Sequence, residues 1–398
     1  GTASVSGTGS SQVINYTPDG GYNGSDSFVV DIDDGNGGND VITVVVTINP
    51  TAGTSFVHSK ISAGRSTAYV TAGSTLSRGR NDQGQLGRTG DTGIFDPVGS
   101  LFNPTSISAG EAHGLALMSN GNVFSWGDNT YGQSIGGPVQ EETGLPSPAV
   151  FVEAGAFNSF VITDNNQLWA KGRNHMGQLG IGTQADSFTW AQVTLPAGNI
   201  EKVSAGVEHT GVMIDGKLYG FGSNGYGQLS QAGTGFHTNW VTVEATPVWV
   251  DFEAGGFHNI ALDNSGGVWV GGKNHRGQLG LGFTSAIVNP PQMASLPGNV
   301  DSVLGFSAGY NHSLVIIDDM GNTRILATGS NKYGQLSIAG APMVMSFSDI
   351  DNVISSAVEI SAGPYNTLII NSSDDLMGAG RIGDEIKQGL EILINLAP

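Results

Sequence analysis

Seven glycine-marked copies of a unit about fifty residues long, two β-hairpins within each copy, and an abundance of turn residues predict an all-β chain. The predicted architecture is a seven-bladed β-propeller behind a small N-terminal β-sandwich module. The chain has 398 residues, of which 62 are glycine and 15 proline. That glycine share is about twice the usual one, and without a Gly-X-Y period it excludes a collagen helix. What is left is a turn-dense sheet protein.

The repeat is marked by Ser/Glu-Ala-Gly, at Gly64, Gly110, Gly155, Gly206, Gly255, Gly309 and Gly363, at intervals of 45 to 54 residues. After each glycine come an apolar strand, a turn such as Asn120-Gly121 or Asp215-Gly216, and a second strand. Six copies then carry Asn-x-x-Gly-Gln, with its polar pair at Asn81/Gln85, Asn129/Gln133, Asn174/Gln178, Asn224/Gln228, Asn274/Gln278 and Asn331/Gln335. In the seventh, Ile382 and Ile386 stand in those places. Four strands per unit are the content of one propeller blade, and stacking blades in a closed ring buries faces that a lone sheet leaves apolar. Leu390 to Leu396 is expected to supply an outer strand to the blade begun at Phe56 to Ile61. The column Leu76, Phe124, Trp169, Tyr219, Trp269, Leu326 and Met377 reads as packing between blades. The signature Asn and Gln read as satisfying backbone groups in tight corners.

Residues 1–50 differ from the rest, with six Asp, no Lys or Arg, and short strands between turn signals; 51–55 reads as a linker and 56–398 as the propeller. The chain begins Gly-Thr-Ala without an initiator Met, which reads as a processed or cut product whose address has been removed.

The balance of 15 basic against 34 acidic residues, net -19, with no basic run, argues against a nucleic-acid partner. No cysteine is present, so disulfides, thiolate metal sites and cysteine nucleophiles are excluded together. No run of eighteen apolar residues occurs, and no membrane insertion is expected.

Ser204-Ala-Gly206-Val-Glu-His209-Thr210, Gly222-Ser-Asn224-Gly-Tyr-Gly-Gln228-Leu229 and Ser125-Trp-Gly-Asp-Asn-Thr-Tyr-Gly-Gln133 resemble the repeat family named after the regulator of chromosome condensation. The resemblance covers 56–398 and implies the seven-bladed ring; it implies little about function, since known members include a nucleotide exchange factor and a secreted β-lactamase inhibitor. Tyr16-Thr-Pro-Asp-Gly-Gly-Tyr22-Asn-Gly-Ser-Asp-Ser-Phe28 and Asp34-Gly-Asn-Gly-Gly-Asn-Asp40 resemble the C-terminal half of cadherin-like, immunoglobulin-fold repeats of bacterial surface proteins. That resemblance implies a partial module completed, if at all, by strand addition from a neighbour.

His113, His209, His258 and His312 share one slot, filled elsewhere by Thr67, Asn158 and Asn366. Free exchange with Thr and Asn, and separation around a ring, point to structural hydrogen bonding rather than a metal. His175 and His275 read as surface residues. Asp31, Asp33, Asp34 and Asp40 form a candidate Ca²⁺ group, although their spacing is not that of an EF-hand. For the propeller no cofactor is expected. No nucleophile, metalloprotease or phosphate-loop motif occurs, Glu141-Glu142 and Asp318-Asp319 read as solvated, and no enzyme is expected. The long connections after the signature carry aromatics, and Trp190, Phe236, His237 and Trp240 are the candidate ligand contacts.

The expected function is a bacterial extracellular or cell-surface binding or adhesion module that takes a protein or glycan ligand on its loops. Two alternatives stand beside it: a subunit of an extracellular polymer, self-associating through the incomplete front module, and a secreted enzyme inhibitor.

Overall fold

A computed structural model describes residues 60–90, 92–244, 247–350 and 357–396, with four strands nearer the N-terminus. The chain divides into two units, Gly1–Ser55 and Phe56–Pro398. In the first, β1 (Thr2–Ser6) pairs antiparallel with β2 (Val13–Thr17), and β3 (Gly24–Asp33) with β4 (Asn39–Ile48). The β3–β4 register sets Asp31 opposite Val41, Ile32 opposite Asp40 and Asp33 opposite Asn39. Of the four expected calcium ligands, Asp34 lies outside the described residues.

The second unit consists of seven four-stranded antiparallel sheets, each a meander of consecutive strands, spanning 61–102, 106–141, 149–192, 200–244, 249–293, 300–349 and 357–395. These are the blades of a propeller. The innermost strands of neighbouring blades touch in sequence, and the last touches the first, so the ring is closed. Between blades lie clusters that each draw on two sheets, such as Phe160, Leu168 and Leu179 with Val203, Val212 and Phe221. The aromatic column joins these clusters, Trp169, Tyr219 and Trp269 all packing at such junctions. Burying these faces is what makes a lone sheet close into a ring.

The Ser/Glu-Ala-Gly motif has a sevenfold task. The side-chain oxygen two residues before the repeat glycine accepts the amide of the alanine in the next blade. Ser62 takes Ala109, Ser108 takes Ala154, Glu153 takes Ala205, Ser204 takes Ala254, Glu253 takes Ala308 and Ser307 takes Ala362, at 2.9 to 3.2 Å. The circuit ends where it began, with the Ala63 amide donating to Ser361 Oγ at 3.0 Å. These bonds occupy inner-strand amides that an open edge would leave unpaired.

A second circuit uses the histidine slot. His113 Nε2 lies 3.0 Å from Ser159 Oγ of the next blade, and Ser159 in turn donates to the Gln133 carbonyl at 2.6 Å. Because the serine hydrogen goes to that carbonyl, the imidazole must donate through Nε2–H, which fixes the neutral tautomer. The same relay runs from His258 through Ser313 to Gln278 and from His312 through Thr367 to Gln335. His209 uses Asn259, whose amide donates to the Gln228 carbonyl. In the second blade the relay position is Gly114, with no hydroxyl to offer. There the Trp126 indole fills the space over the glycine, and its Nε1 donates to the Gln85 carbonyl at 2.9 Å. The Tyr69 hydroxyl donates to the same carbonyl, so Trp126→Phe should leave the ring folded and lower its stability by about 1 kcal/mol, the worth of one buried hydrogen bond. Thermal unfolding followed by circular dichroism reads this, and an unchanged midpoint would assign the indole to packing alone.

The signature residues are structural. Signature Asn side chains accept the amide five residues on, as at Asn174 and Leu179 (2.9 Å), and donate back to the following loop. Each Gln accepts the amide two residues before it. Between them, Gly177 takes φ +76 with the Thr238 backbone of the next blade pressed against it, where a β-carbon has no room.

One expectation needs correction. The C-terminal segment does not complete the first blade: Glu385–Asn395 pairs with Asp375–Ile382 as the outer strand of the seventh, and the first blade has its own outer strand in Asp96–Phe102. The chain from Ala357 onward is long enough for four strands, so no exchange is needed. Leu393, Ile394 and Leu396 still reach the junction with Ile61 and Val70, covering the first blade by packing instead of by strand pairing.

Candidate binding face

Two loop series meet on one face of the ring. The first follows the repeat glycine and the second carries the signature Asn. In every blade the amide of the residue before the signature Asn position donates to a carbonyl of the first loop. The pairs are Arg80 to Ser66, Asp128 to Ala112, Arg173 to Phe157, Ser223 to Glu208, Lys273 to Phe257, Ser330 to Asn311 and Arg381 to Tyr365, all at 2.7 to 3.0 Å. Pinned in this way, the loops form a preorganised surface, which lowers the ordering cost of binding.

The side chains on this surface are aromatic and cationic. The Arg173 guanidinium stands 4.9 Å from the Tyr131 ring and 5.5 Å from that of Phe157. Lys273 Nζ repeats the arrangement with Tyr226 (4.8 Å) and Phe257 (4.9 Å). The rings then run on edge-to-face or tilted, Phe257 to Tyr310 at 5.6 Å, Tyr310 to Tyr365 at 6.5 Å and Tyr365 to Tyr333 at 5.2 Å. Half-buried rings of this kind combine a large apolar contact with a polar tip, the composition of interface anchors. Burial and nearby carboxylates hold the Tyr310 phenol above its usual range, so it stays a neutral donor.

A shallow cleft indents the same face at the first two blades, lined by Arg65, Arg80, Asp82, Glu111, Asp128 and Tyr131 among others. Its charges are paired internally, Arg65 with Glu111 and Arg80 with Asp82. It contains no nucleophile with an adjacent base.

The ring's inner strands hold an acid–base group of Glu153, Lys202, Asp251 and Glu253. Burial raises the Glu153 carboxyl to about 7 and also raises that of Glu253. Lys202 Nζ lies 2.7 Å from Asp251 and 3.9 Å from Glu253. Both glutamates are engaged in the alanine-amide circuit, in positions where the other five blades use serine. Their work is joinery. A folded pKa raised above that of the unfolded chain gives stability that is present below about pH 4.5 and lost as pH rises through 7. Glu153→Ser should therefore raise the unfolding midpoint at pH 8 and change it little at pH 5; the reverse order would show that the carboxylate is wanted ionised.

Among the residues expected to contact a ligand, Trp190 is only 8% exposed, its indole covering Lys171 and donating to Glu142 at 3.3 Å. It belongs to the core of a junction, not to a loop tip. Phe236 is 43% exposed and, with His237, pairs with Ser223 and Gly222, which places both where the outer strand Phe236–Glu244 meets the binding face. Trp240 is 40% exposed farther along that strand, edge-on to Tyr219 at 5.5 Å. His175 approaches Glu208 at 3.1 Å and His275 is exposed. Two expectations of solvated acids fail: Glu142 is buried against Lys171, and Asp319 joins Asp349 in clamping Arg324. The sequence reading missed Tyr131, Phe157, Tyr226, Phe257, Tyr310, Tyr333 and Tyr365. The available signal was an aromatic recurring two residues after either glycine or Asn in most copies, with Tyr310 directly after its glycine, a pattern eclipsed by the longer connections.

Comparison with known proteins matches residues 105–133 and 149–178, and again 165–213 and 265–316, to the Regulator of chromosome condensation (RCC1) repeat. Residues 1–47 match a bacterial Ig domain. The ultraviolet-B receptor UVR8 of Arabidopsis thaliana is 28% identical over 81% of this chain and 76% of its own length. The mouse regulator of chromosome condensation is likewise 28% identical, over 75% and 78%. Among solved structures, Prp20p of Saccharomyces cerevisiae superposes with a TM-score of 0.72 at 18% identity, covering 80% of this chain and 85% of that one. Human WBSCR16 gives 0.69 at 20% identity over 81% and 87%. At such identities the solved structures share the fold alone.

Proposed function

We infer, for a chain built of regulator of chromosome condensation (RCC1) repeats closed into a seven-bladed propeller behind a bacterial Ig-like domain, that it is a protein-binding module whose ligand docks on the signature-loop face. The carrying observation is the run of half-buried rings and ring-supported cations on that face, held by seven equivalent backbone bonds. A rigid aromatic surface binds without prior ordering and concentrates its energy in a few anchors. Support also comes from the yeast relative Prp20p, which binds Gsp1p and histones and is bound by Kap60.

The setting proposed is the bacterial cell surface or exterior, with the Ig-like domain as part of a stalk that presents the ring. The acidic, cysteine-free composition and the bacterial Ig match support this. Chemistry on a substrate is not part of the reading, because the cleft and the inner acid–base group are occupied with internal pairing.

Capture from the source's culture medium and envelope on immobilised protein tests it. Tyr310→Ala should reduce the captured ligand about thirtyfold, the effect of losing one hot-spot ring, whereas Lys217→Ala, at the hairpin turns of the opposite face, should leave it unchanged. Equal capture by both variants would overturn the assignment of the face.

A further inference from the structure

We propose that the sector of this face made by blades four to six receives a carboxylate-rich peptide segment of the partner, an inference that rests on the binding face assigned above and names the chemistry it selects.

The observation is a local reversal of charge. The chain as a whole has 34 acidic and 15 basic residues. Yet the loops 207–208, 223–235, 256–257, 273–284, 310–311 and 330–342 contain Lys273, Arg276 and Lys332 against a single acid, Glu208, which lies 3.1 Å from His175 at the blade-three edge. Most of the other cations are neutralised within the fold, although Lys60, Arg173, Lys217 and Arg381, scattered over other parts of the chain, also lack a carboxylate at ion-pair distance among the described residues. Arg65 and Arg80 each have a carboxylate, Lys171 is buried against Glu142, Lys202 lies between Asp251 and Glu253, Arg324 between Asp319 and Asp349, and Lys387 between Glu385 and Glu391. Lys273, Arg276 and Lys332 have no carboxylate within ion-pair distance among the described residues, in a protein with more than two acids for every base.

The geometry keeps these charges available. Lys273 is carried on the faces of Tyr226 and Phe257, and Lys332 stands 5.3 Å from the Tyr333 ring. A ring face attracts an ammonium through its quadrupole and covers one side of it without neutralising its charge as a carboxylate would, so N–H donors remain for a ligand. Burial first, and then the neighbouring Arg276 charge, hold the Lys273 ammonium below its usual pKa. An incoming carboxylate relieves that repulsion. Alongside runs the apolar track of Phe257, Tyr310 and Tyr365, with Phe236 on the rim, suited to the aliphatic parts of an extended chain. Because net repulsion from the remaining acidic surface is screened beyond about 10 Å at 0.1 M salt, the local sector decides the contact.

The probe is fluorescein-labelled decaglutamate, titrated with the whole chain at 50 and 300 mM NaCl and read by anisotropy, with decalysine as control and sodium polygalacturonate as competitor. Expected are binding of decaglutamate, weaker at the higher salt and at least tenfold weaker for Lys273→Gln/Arg276→Gln at an unchanged melting temperature, while decalysine, drawn to the net -19 surface, binds that variant no more weakly than the parent. Lys217→Gln on the opposite face should bind as the parent does. Failure of decaglutamate to bind, or equal binding by Lys273→Gln/Arg276→Gln, overturns the inference while leaving the Tyr310-dependent capture to stand or fall separately. Polygalacturonate binding in the absence of peptide binding also overturns it, by assigning the sector to acidic glycan. Salt-sensitive oligomers displaced from the same residues would overturn it in favour of a second copy.

Discussion

Lowering the pH from 7 to 4 should unfold the ring at a urea concentration or temperature that it withstands at neutrality. Four slot histidines are buried, and burial depresses His113, His209 and His312 to about 4 and His258 to about 3, from 6.5. The sign follows from linkage. A base held neutral in the fold gives stability that is complete above the unfolded pKa of about 6.5 and lost as pH falls toward the folded value. A shift of 2.5 units corresponds to about 3 kcal/mol at each site, so four sites together amount to roughly 10 kcal/mol, comparable with the whole stability of a domain. The glutamates of the inner circuit run the other way and recover part of this. Replacing the histidines by Asn, the residue already present in that slot at Asn158 and Asn366, should flatten the profile between pH 6.5 and 4. Urea midpoints at pH 7.5, 6 and 4.5 provide the measurement. An acid midpoint equal to the neutral one would mean that the imidazoles are not neutral donors in these relays.

Lys171→Met is expected to be the most damaging single substitution among the charged residues. Lys171 Nζ and Glu142 Oε1 are 2.5 Å apart with both side chains 3% exposed, and Ser125 and Trp190 complete the carboxylate's hydrogen bonds. Removing the ammonium leaves a buried carboxylate without its counter-charge, which costs about 3–5 kcal/mol. Lys171→Met/Glu142→Gln removes the stranded charge as well and should recover more than half of that loss, because a neutral amide still meets Ser125 and Trp190. Denaturant melts at pH 7.5 of the two single variants and the double variant separate the coupling from the individual losses. Additive losses would show that the pair is not coupled, and that the lysine stem supplies packing only.

The repeat itself was legible because its physics is written locally. Glycine at seven fixed places, an Asn–Gln pair in six, and alternating apolar strands each report a backbone demand, and the structure meets them blade by blade. The inter-blade circuits were not legible. Ser62 and Ala109 are 47 residues apart and nothing at either end announces the other. The expected latch by Leu390 to Leu396 failed for the same reason: alternation shows that a strand exists, not which sheet it joins. Trp190 was misplaced because an aromatic in a long connection reads the same whether it faces solvent or covers a buried lysine. The face aromatics went unnoticed since each is unremarkable in its own copy, and only ring closure sets Phe257, Tyr310 and Tyr365 side by side.

At the seam between the last sheet and the first, no strand crosses over. What spans it is the Ala63 amide on Ser361, the Lys60 amide on Glu359, Asn366 Nδ2 on the Thr67 carbonyl, Arg78 beside Glu385, and shared apolar packing. The first of these bonds and the packing are what every adjacent pair of sheets possesses, and the other three contacts stand in for a covalent connection. The circle consequently has no privileged starting point: a gene rewired to begin at another hairpin should yield the same object. Under tension applied to its two ends, it should part like an unclasped bracelet, whole sheets separating before any single strand is peeled away.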